Sequence, residues 1–385
     1  MSAPGLLDQA IAAFALHAVW QVPLLAGAAW LAIRVGQPKV RVAHGLWVAT
    51  LLLCVVAPLV STWQGYRAAR AQAHASTASI SYSTDDTEQN LPAMQREPAW
   101  LRLVHKHFNS VDGVKPFAFA LSQRVAFGIT GVYVLLLVFA CIRFGIAWRR
   151  ARNLVHVASA DVPQQFVQAM QVQCEAMECH VPRVAMSDEI AGPLLAGVVQ
   201  PTLLLPANSA EEMSSEEIEA VLAHELSHLR RRDPFWHAMC SVMLLPVQFH
   251  PVATWVASRI RQTREMACDA EAVAWIGSSS RYADALLCVA ERMSFSAVVS
   301  AGVGLGLFDV ERVHAAAVRD GRSWSKPRPA TAGLEFFDIT GAMEERMQSM
   351  MKHDETKSVR SRWTRSLAAA AIAASGVATA CMIQV

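Results

Sequence analysis

The sequence has few charged residues: Asp, Glu, Lys and Arg make up 17% of its 385 residues, whereas hydrophobic residues make up 53%. This composition is too apolar for a protein whose whole surface faces water, and it argues against an ordinary soluble enzyme. The formal net charge is only +2, so no basic excess points to direct contact with nucleic acid. Phosphate-binding glycine loops, internal repeats and heptad runs are also missing. Cysteine is absent from the polar stretch 66–123, so we do not expect disulfides to stabilise the protein.

Long apolar runs are present instead. A helix that crosses a bilayer needs about 20 mostly apolar residues, because the hydrocarbon layer is roughly 30 Å thick. Three runs meet this requirement, at about 9–33, 42–63 and 124–148, and a weaker Ala-rich run covers 366–385. No Lys or Arg precedes the first run, and the run exceeds the apolar part of a typical signal peptide, so we interpret it as a retained helix.

Basic residues indicate how these helices are oriented, because Lys and Arg favour cytoplasmic loops. One basic cluster follows the first run, one follows the third and one precedes the fourth (Arg34, Lys39 and Arg41; Arg143, Arg149, Arg150 and Arg152; Lys357, Arg360, Arg362 and Arg365). All three clusters indicate the same orientation of the helices. They predict a multi-pass protein with an extracytoplasmic loop at 66–123 and a cytoplasmic domain at 149–365.

A metal-binding motif lies in the predicted cytoplasmic domain. Ser214 and Glu217 have the spacing of a helix-capping box, and apolar residues then recur at helical intervals. His224 and His228 would therefore lie one turn apart on one face of a helix, where two imidazoles can share a zinc ion. Glu225 is the predicted general base, since a carboxylate beside the ion can take a proton from the attacking water.

A catalytic zinc site needs a third protein ligand, and the extended HExxHxxGxxH form is absent. The segment 258–269 has a helical pattern that places Glu265 and Asp269 on one face. We predict Glu265 as the third zinc ligand and Asp269 as the acceptor of a hydrogen bond from a ligand histidine. The alternative is an exposed helical acid beside arginines.

Three further predictions concern the surroundings of the site. The apolar stretch 235–256 cannot cross the bilayer, because His228 and Glu265 would then lie on opposite sides; we predict a hairpin at the membrane surface. Two β-prone pieces, 183–186 and 194–205, would form strands whose edge could pair with a substrate peptide or serve structure alone. Tyr282, the only tyrosine in the predicted cytoplasmic region, is a candidate for oxyanion stabilisation or for packing.

The sequence resembles the BlaR/MecR-type membrane zinc peptidases, which are antirepressors. The resemblance rests on HELSHLRRRD followed by REMACDAEAV, on HGLW from His44, on Gly192-Pro193-Leu194 and on PTLLLP from Pro201, and it covers most of residues 1–295. It implies a mostly α, polytopic membrane protein with a cytoplasmic gluzincin-like α+β zinc peptidase domain, and it assigns one zinc ion to His224, His228 and Glu265, with Glu225 as the general base. The penicillin-binding sensor domain of the full-length receptors is not expected here.

The function that this resemblance implies is hydrolysis of a cytoplasmic protein, such as a BlaI/MecI-like transcriptional repressor, by an enzyme of the bacterial inner membrane. Membrane lipid is the other expected partner. Two alternatives remain: a quality-control protease similar to the more distantly related HtpX-type enzymes, and a signalling scaffold without catalysis.

Overall fold

A computed structural model of the protein describes residues 3–81, 121–190, 192–207 and 213–297, with side chains placed over most of these ranges. The fourth apolar run at 366–385 lies outside them, as does most of the predicted outer loop. The described part is mostly helical and contains, in chain order, α1 (Ala3–Gly36), α2 (Val40–Ser81), α3 (Gln123–Val157), α4 (Gln164–Ala176), β1 (Arg183–Ser187), β2 (Leu194–Ala196), β3 (Thr202–Pro206), α5 (Ser215–Arg230), α6 (Asp233–Leu244), α7 (Pro251–Ile276) and α8 (Ser279–Ala297).

Three of these helices are long and apolar enough to cross a membrane: Leu6–Gly36 within α1, Val40–Ala71 within α2, and α3. They coincide with the three runs predicted in the first half of the sequence. Helix α2 continues to Ser81, well beyond the predicted end of its apolar run at residue 63. The extension is rich in alanine, which favours helix over other conformations even where the apolar pattern stops.

The stretch 235–256 folds back on itself. Helix α6 ends in a short 3-10 turn at Leu245–Val247, and α7 begins at Pro251 with His250 as its N-cap. The hairpin packs against α1 and α2 in one apolar core that includes Leu51, Leu244 and Val256. The Tyr133 hydroxyl of α3 donates a hydrogen bond to the Pro246 carbonyl at 3.2 Å. The hairpin is thus joined to all three candidate membrane helices, while its contact with lipid stays a prediction.

A three-stranded sheet covers the predicted β-prone pieces, with strand order β1-β3-β2. Strand β1 is parallel to β3, and β2 is antiparallel to it; Arg183 of β1 and Ala196 of β2 both pair with Thr202 of β3. The outer edge of β1 is occupied in part by Ser159, whose backbone exchanges two hydrogen bonds with Met186, of 2.8 and 2.7 Å. Strand β2 forms the opposite edge of the sheet.

The sheet is covered on both faces. Leu203 and Leu205 of β3 lie in a core with α4 and with the apolar face of α5, whereas Leu204 points the other way and packs with Leu154 of α3. This alternation is the ordinary consequence of the two-residue repeat of a strand. It fixes α5 on one side of the sheet and the last turns of α3 on the other.

Candidate metal centre

The sequence around α5 determines where the paired histidines lie. The capping box is formed: Ser214 Oγ accepts a hydrogen bond from Glu217 N at 3.3 Å, and Glu217 Oε2 accepts one from Ser214 N at 2.7 Å. Because this box fixes the first turn, Leu222 and Leu226 face the sheet core. His224 and His228 then lie on a neighbouring face of the helix.

The two imidazoles converge with Glu265, which α7 brings to them. His224 Nε2 lies 3.2 Å from His228 Nε2, and Glu265 Oε2 lies 3.5 Å from the first nitrogen and 3.7 Å from the second. The other oxygen, Oε1, accepts hydrogen bonds from Arg264 Nε at 3.1 Å and Nη2 at 2.8 Å. Arg264 therefore orients the Glu265 carboxylate so that Oε2 faces the histidines.

This donor set fits one zinc ion. Two ligands at about 2.0–2.1 Å from a tetrahedral zinc lie about 3.3 Å apart. The measured separations of 3.2, 3.5 and 3.7 Å are close to that value. Two imidazole nitrogens and one carboxylate oxygen also form the ligand set that leaves a fourth position open in catalytic zinc sites.

The Nδ1 atom of His224, on the side of the ring away from the other donors, contacts two buried residues. It lies 3.1 Å from Asp269 Oδ1 and 2.9 Å from the Tyr282 hydroxyl, which itself donates to Asp269 Oδ1 at 2.9 Å. Asp269 is thus placed to accept a hydrogen bond from the His224 ring. The oxyanion role considered for Tyr282 does not fit the structure, because the fully buried hydroxyl contacts Nδ1, on the side of the ring away from the zinc-binding nitrogen.

The far nitrogen of His228 has a partner that the sequence analysis missed. Asp233 Oδ2 lies 2.8 Å from His228 Nδ1, and Cys268 Sγ lies 3.2 Å from the same nitrogen and donates to Asp233 Oδ2 at 3.2 Å. Arg232 adopts a left-handed conformation with φ 56°, which reverses the chain after α5 and returns Asp233 to the histidine. The only sequence signal was an acid five residues after His228, at the start of the next helix.

The carboxylates around the histidines change how these groups titrate. Burial lowers the pKa of His224, but the hydrogen bonds that its ring donates to Asp269 and Glu265 outweigh burial and raise this pKa to about 10. Burial likewise raises the pKa of Glu265, yet the Arg264 guanidinium and the two histidines hold it well below its usual range. The raised pKa of His224 means that a metal ion has to compete with a proton for this imidazole when it binds.

A cleft of about 800 Å³ opens beside the three donors. Glu225 lines it together with His228 and Glu265, so that the predicted general base lies at the same cavity as two of the predicted ligands. Strand β2 contributes Leu194 and Leu195 to another wall. The last turns of α3 complete the cavity with Trp148, Ala151, Arg152, Val155 and His156.

Sequence comparisons support the same interpretation. The family model described as BlaR1 peptidase M56 matches residues 9–306. The methicillin resistance mecR1 proteins of Staphylococcus aureus and Staphylococcus epidermidis are 24% identical to the chain over 160 residues, which are 40% of this chain and 27% of those proteins. The regulatory protein BlaR1 of Bacillus licheniformis is 27% identical over 86 residues, which are 22% of this chain and 14% of that protein.

The aligned part thus spans about a quarter or less of each of these relatives. The family model, by contrast, covers α1, the donor cluster and α8 in a single match. Both the candidate membrane helices and the residues of the metal centre fall inside it. The chain therefore belongs to the BlaR1 peptidase M56 family of membrane-associated metallopeptidases.

Proposed function

We propose that the protein is an integral membrane zinc endopeptidase that hydrolyses peptide bonds of a cytoplasmic protein during transmembrane signalling. One observation carries this proposal: His224, His228 and Glu265 converge from two helices, and His228 and Glu265 line a cleft that Glu225 also lines. Family membership supports the metallopeptidase activity. The BlaR1 relative is a regulatory protein, which supports a role in signalling.

In this proposal, His224 Nε2, His228 Nε2 and Glu265 Oε2 hold the ion. A bound zinc would lower the pKa of a water molecule and polarise the scissile carbonyl. Glu225, partly buried in the cleft, accepts the proton of the attacking water at its carboxylate and passes it to the leaving amine. Asp269 with Tyr282, and Asp233 with Cys268, fix the ring orientation and tautomer of the two histidines.

Strand β2 is suited to present an extended peptide to the metal centre. It is an edge strand, it lines the cleft, and it packs beside α5. An unpaired strand edge can add a peptide through main-chain hydrogen bonds, which bind a backbone of almost any sequence. The proposed substrate backbone would therefore lie between β2 and Glu225.

Contacts between α2 and α7 support a cytoplasmic location for the metal centre. Arg41, at the start of α2, forms an ion pair with Glu271 at 3.0 Å, and His44 lies 3.1 Å from Thr263. The basic loop before α2 is consequently on the same side of the protein as the metal centre. Because basic loops favour the cytoplasm, we place the active site at the cytoplasmic face of the bacterial inner membrane.

A transcriptional repressor of the BlaI/MecI kind is the proposed substrate, since mecR1 and BlaR1 are the relatives that the chain resembles. The peptidase itself needs no contact with nucleic acid in this scheme. Proteolysis of the repressor would relieve repression, and the membrane helices would carry the signal to the metal centre.

The decisive experiment compares the wild type with Glu225→Gln, which keeps the side-chain shape but removes the base. We expect about one zinc per chain in both proteins after gentle purification. Proteomics of cells should show a shortened repressor only with the wild type. A Glu225→Gln protein that still cleaves the substrate would overturn the mechanism. Absence of zinc from the wild type would favour a non-catalytic scaffold, and cleavage of many misfolded membrane proteins would favour quality control.

A further inference from the structure

Some charged side chains in the cleft have a partner of opposite charge among the described residues, and others have none. Close to the donor cluster, Glu265 is paired with Arg264, and Asp233 lies 3.4 Å from Arg231 as well as against His228. Three other arginines line the cleft: Arg261 on α7, and Arg152 on α3 and Arg183 on β1, of which the last two are exposed. Among the described residues, no carboxylate lies within ion-pair distance of either one. Within the described part of the chain, Arg152 and Arg183 therefore form a cationic part of the cleft without a paired carboxylate.

The fold places this cationic part within the cleft rather than on an unrelated surface. Arg183 pairs in register with Thr202, which pairs in turn with Ala196 at the end of β2. Arg183 and Thr202 both line the cleft, together with Leu194 and Leu195 of β2. The last turns of α3 pack on the same sheet through Leu154, and they bring Arg152 to the cavity.

We propose that Arg152 and Arg183 form a subsite for an acidic side chain, Asp or Glu, of the substrate peptide. This inference rests on the proposed peptidase function and adds a substrate class to it. A guanidinium presents several N–H donors in a planar fork that matches a carboxylate. Trp148, Val155 and Leu194 line the same cleft, so that apolar side chains should be accepted beside the acidic one.

Anionic lipid headgroups are the competing ligand for these arginines. Arg152 lies in the basic cluster at the end of a candidate membrane helix, where contact with lipid is common. Arg183, however, belongs to the sheet, and it shares its cavity with Glu225 and His228. A ligand that contacts both arginines is thus inside the proposed active-site cleft, which favours the substrate.

The test uses the full chain in phosphatidylcholine nanodiscs with zinc, and a peptide library made from a digested bacterial proteome. Cleavage products are sequenced by mass spectrometry. We expect Asp and Glu to be enriched at one or two positions near the cleaved bond. An exposed ion pair contributes up to about fivefold in affinity, so synthetic peptides with Glu should exceed Gln versions by about two- to fivefold in kcat/KM.

The double variant Arg152→Glu/Arg183→Glu should lose this enrichment and favour Lys or Arg at the same positions. Arg150→Glu is the matched control, because Arg150 is exposed on the same helix but does not line the cleft. The Arg150→Glu protein should keep the wild-type preference for acidic residues. Both this control and the double variant should keep their zinc content.

The outcomes separate the two proposals. A wild type that cleaves the library no better than Glu225→Gln would remove the proposed function itself. A wild type that cleaves without any preference for Asp or Glu would overturn only the acidic subsite. The subsite would also be overturned if the double variant kept the acidic preference and instead lost a thermal stabilisation that phosphatidylglycerol gives to the wild type, since the arginines would then be lipid ligands.

Discussion

The Tyr282 hydroxyl donates a hydrogen bond to Asp269 Oδ1 at 2.9 Å, and both groups contact Nδ1 of His224. Helix α8 thereby contributes a buried contact to the Nδ1 side of His224, a proposed metal ligand. The tyrosine ring is fully buried against Ala220, Ala223 and Ala272, so its position is set by the packing of α8 on α5 and α7. Tyr282 is best described as a positioning residue.

Tyr282→Phe should weaken zinc binding about tenfold, because partners of ligand histidines typically contribute 10- to 100-fold to metal affinity. The ring stays in place, so the fold should be retained. Zinc affinity is measured by competition with a chelator, and kcat is measured at saturating zinc. Tyr133→Phe serves as the control, since its hydroxyl contacts the hairpin instead. Unchanged zinc affinity with a large fall in kcat would restore the oxyanion role.

Asp233→Asn should lower zinc affinity about 10- to 100-fold, because the amide cannot replace the charge that holds His228 Nδ1. The substitution keeps the side-chain volume. Chelator competition again provides the measurement, with Asp161→Asn, at an exposed carboxylate, as the control. Equal affinities for the two variants would mean that Asp233 does not orient the ligand.

Glu265→Gln should lose most of its bound zinc, in contrast to Glu225→Gln, because only Glu265 offers a carboxylate oxygen to both histidines. Zinc per chain is determined by elemental analysis after gel filtration. Full zinc occupancy in Glu265→Gln would show that the third ligand is another residue.

Glu271→Gln should destabilise the junction between α2, α5 and α7. The buried Glu271 carboxylate forms ion pairs with Arg41 at 3.0 Å and with Arg230 at 2.9 Å. Both arginines are partly exposed, so we expect the free energy of unfolding to fall by about 1–2 kcal/mol, rather than by the 3–5 kcal/mol typical of breaking a fully buried pair. The Tm in detergent should fall by roughly 1–3 °C. Arg41→Gln should lower the free energy of unfolding less than Glu271→Gln does, since the Arg41 side chain is 66% exposed. An equal or larger loss in Arg41→Gln would contradict this account.

The proposed orientation predicts that the two ends of α3 face different compartments. Cysteines are introduced at Ser122, before the helix, and at Val199, which is 90% exposed beside the cleft. The exposed Cys141 and Cys288, and also Cys381, are replaced by serine first. A membrane-impermeant maleimide should label Ser122→Cys in intact spheroplasts, and Val199→Cys only after permeabilisation. The reverse pattern would place the metal centre outside the cytoplasm.

The parts that could be predicted from the sequence are those governed by local periodicity. The spacing of His224 and His228 and the placement of Glu265 on a helix require only 3.6 residues per turn, and the three candidate spans require only apolar length. The role of Asp233 could not be predicted, because it depends on a left-handed residue at Arg232 that reverses the chain. The position of Tyr282 depends on how α8 packs, and no local pattern encodes that packing.

Helix α3 runs without interruption from the far side of the apolar layer to the wall of the cleft, over 35 residues. At 1.5 Å per residue it is a rod about 52 Å long, so that a tilt of about 5° at one end displaces the other by about 4.5 Å. A displacement of that size at Trp148 and Val155 is comparable to the spacing between neighbouring strands. If α3 spans the membrane and the cleft binds a peptide, as proposed, a force that tilts this helix would therefore change the width of the entrance beside Glu225.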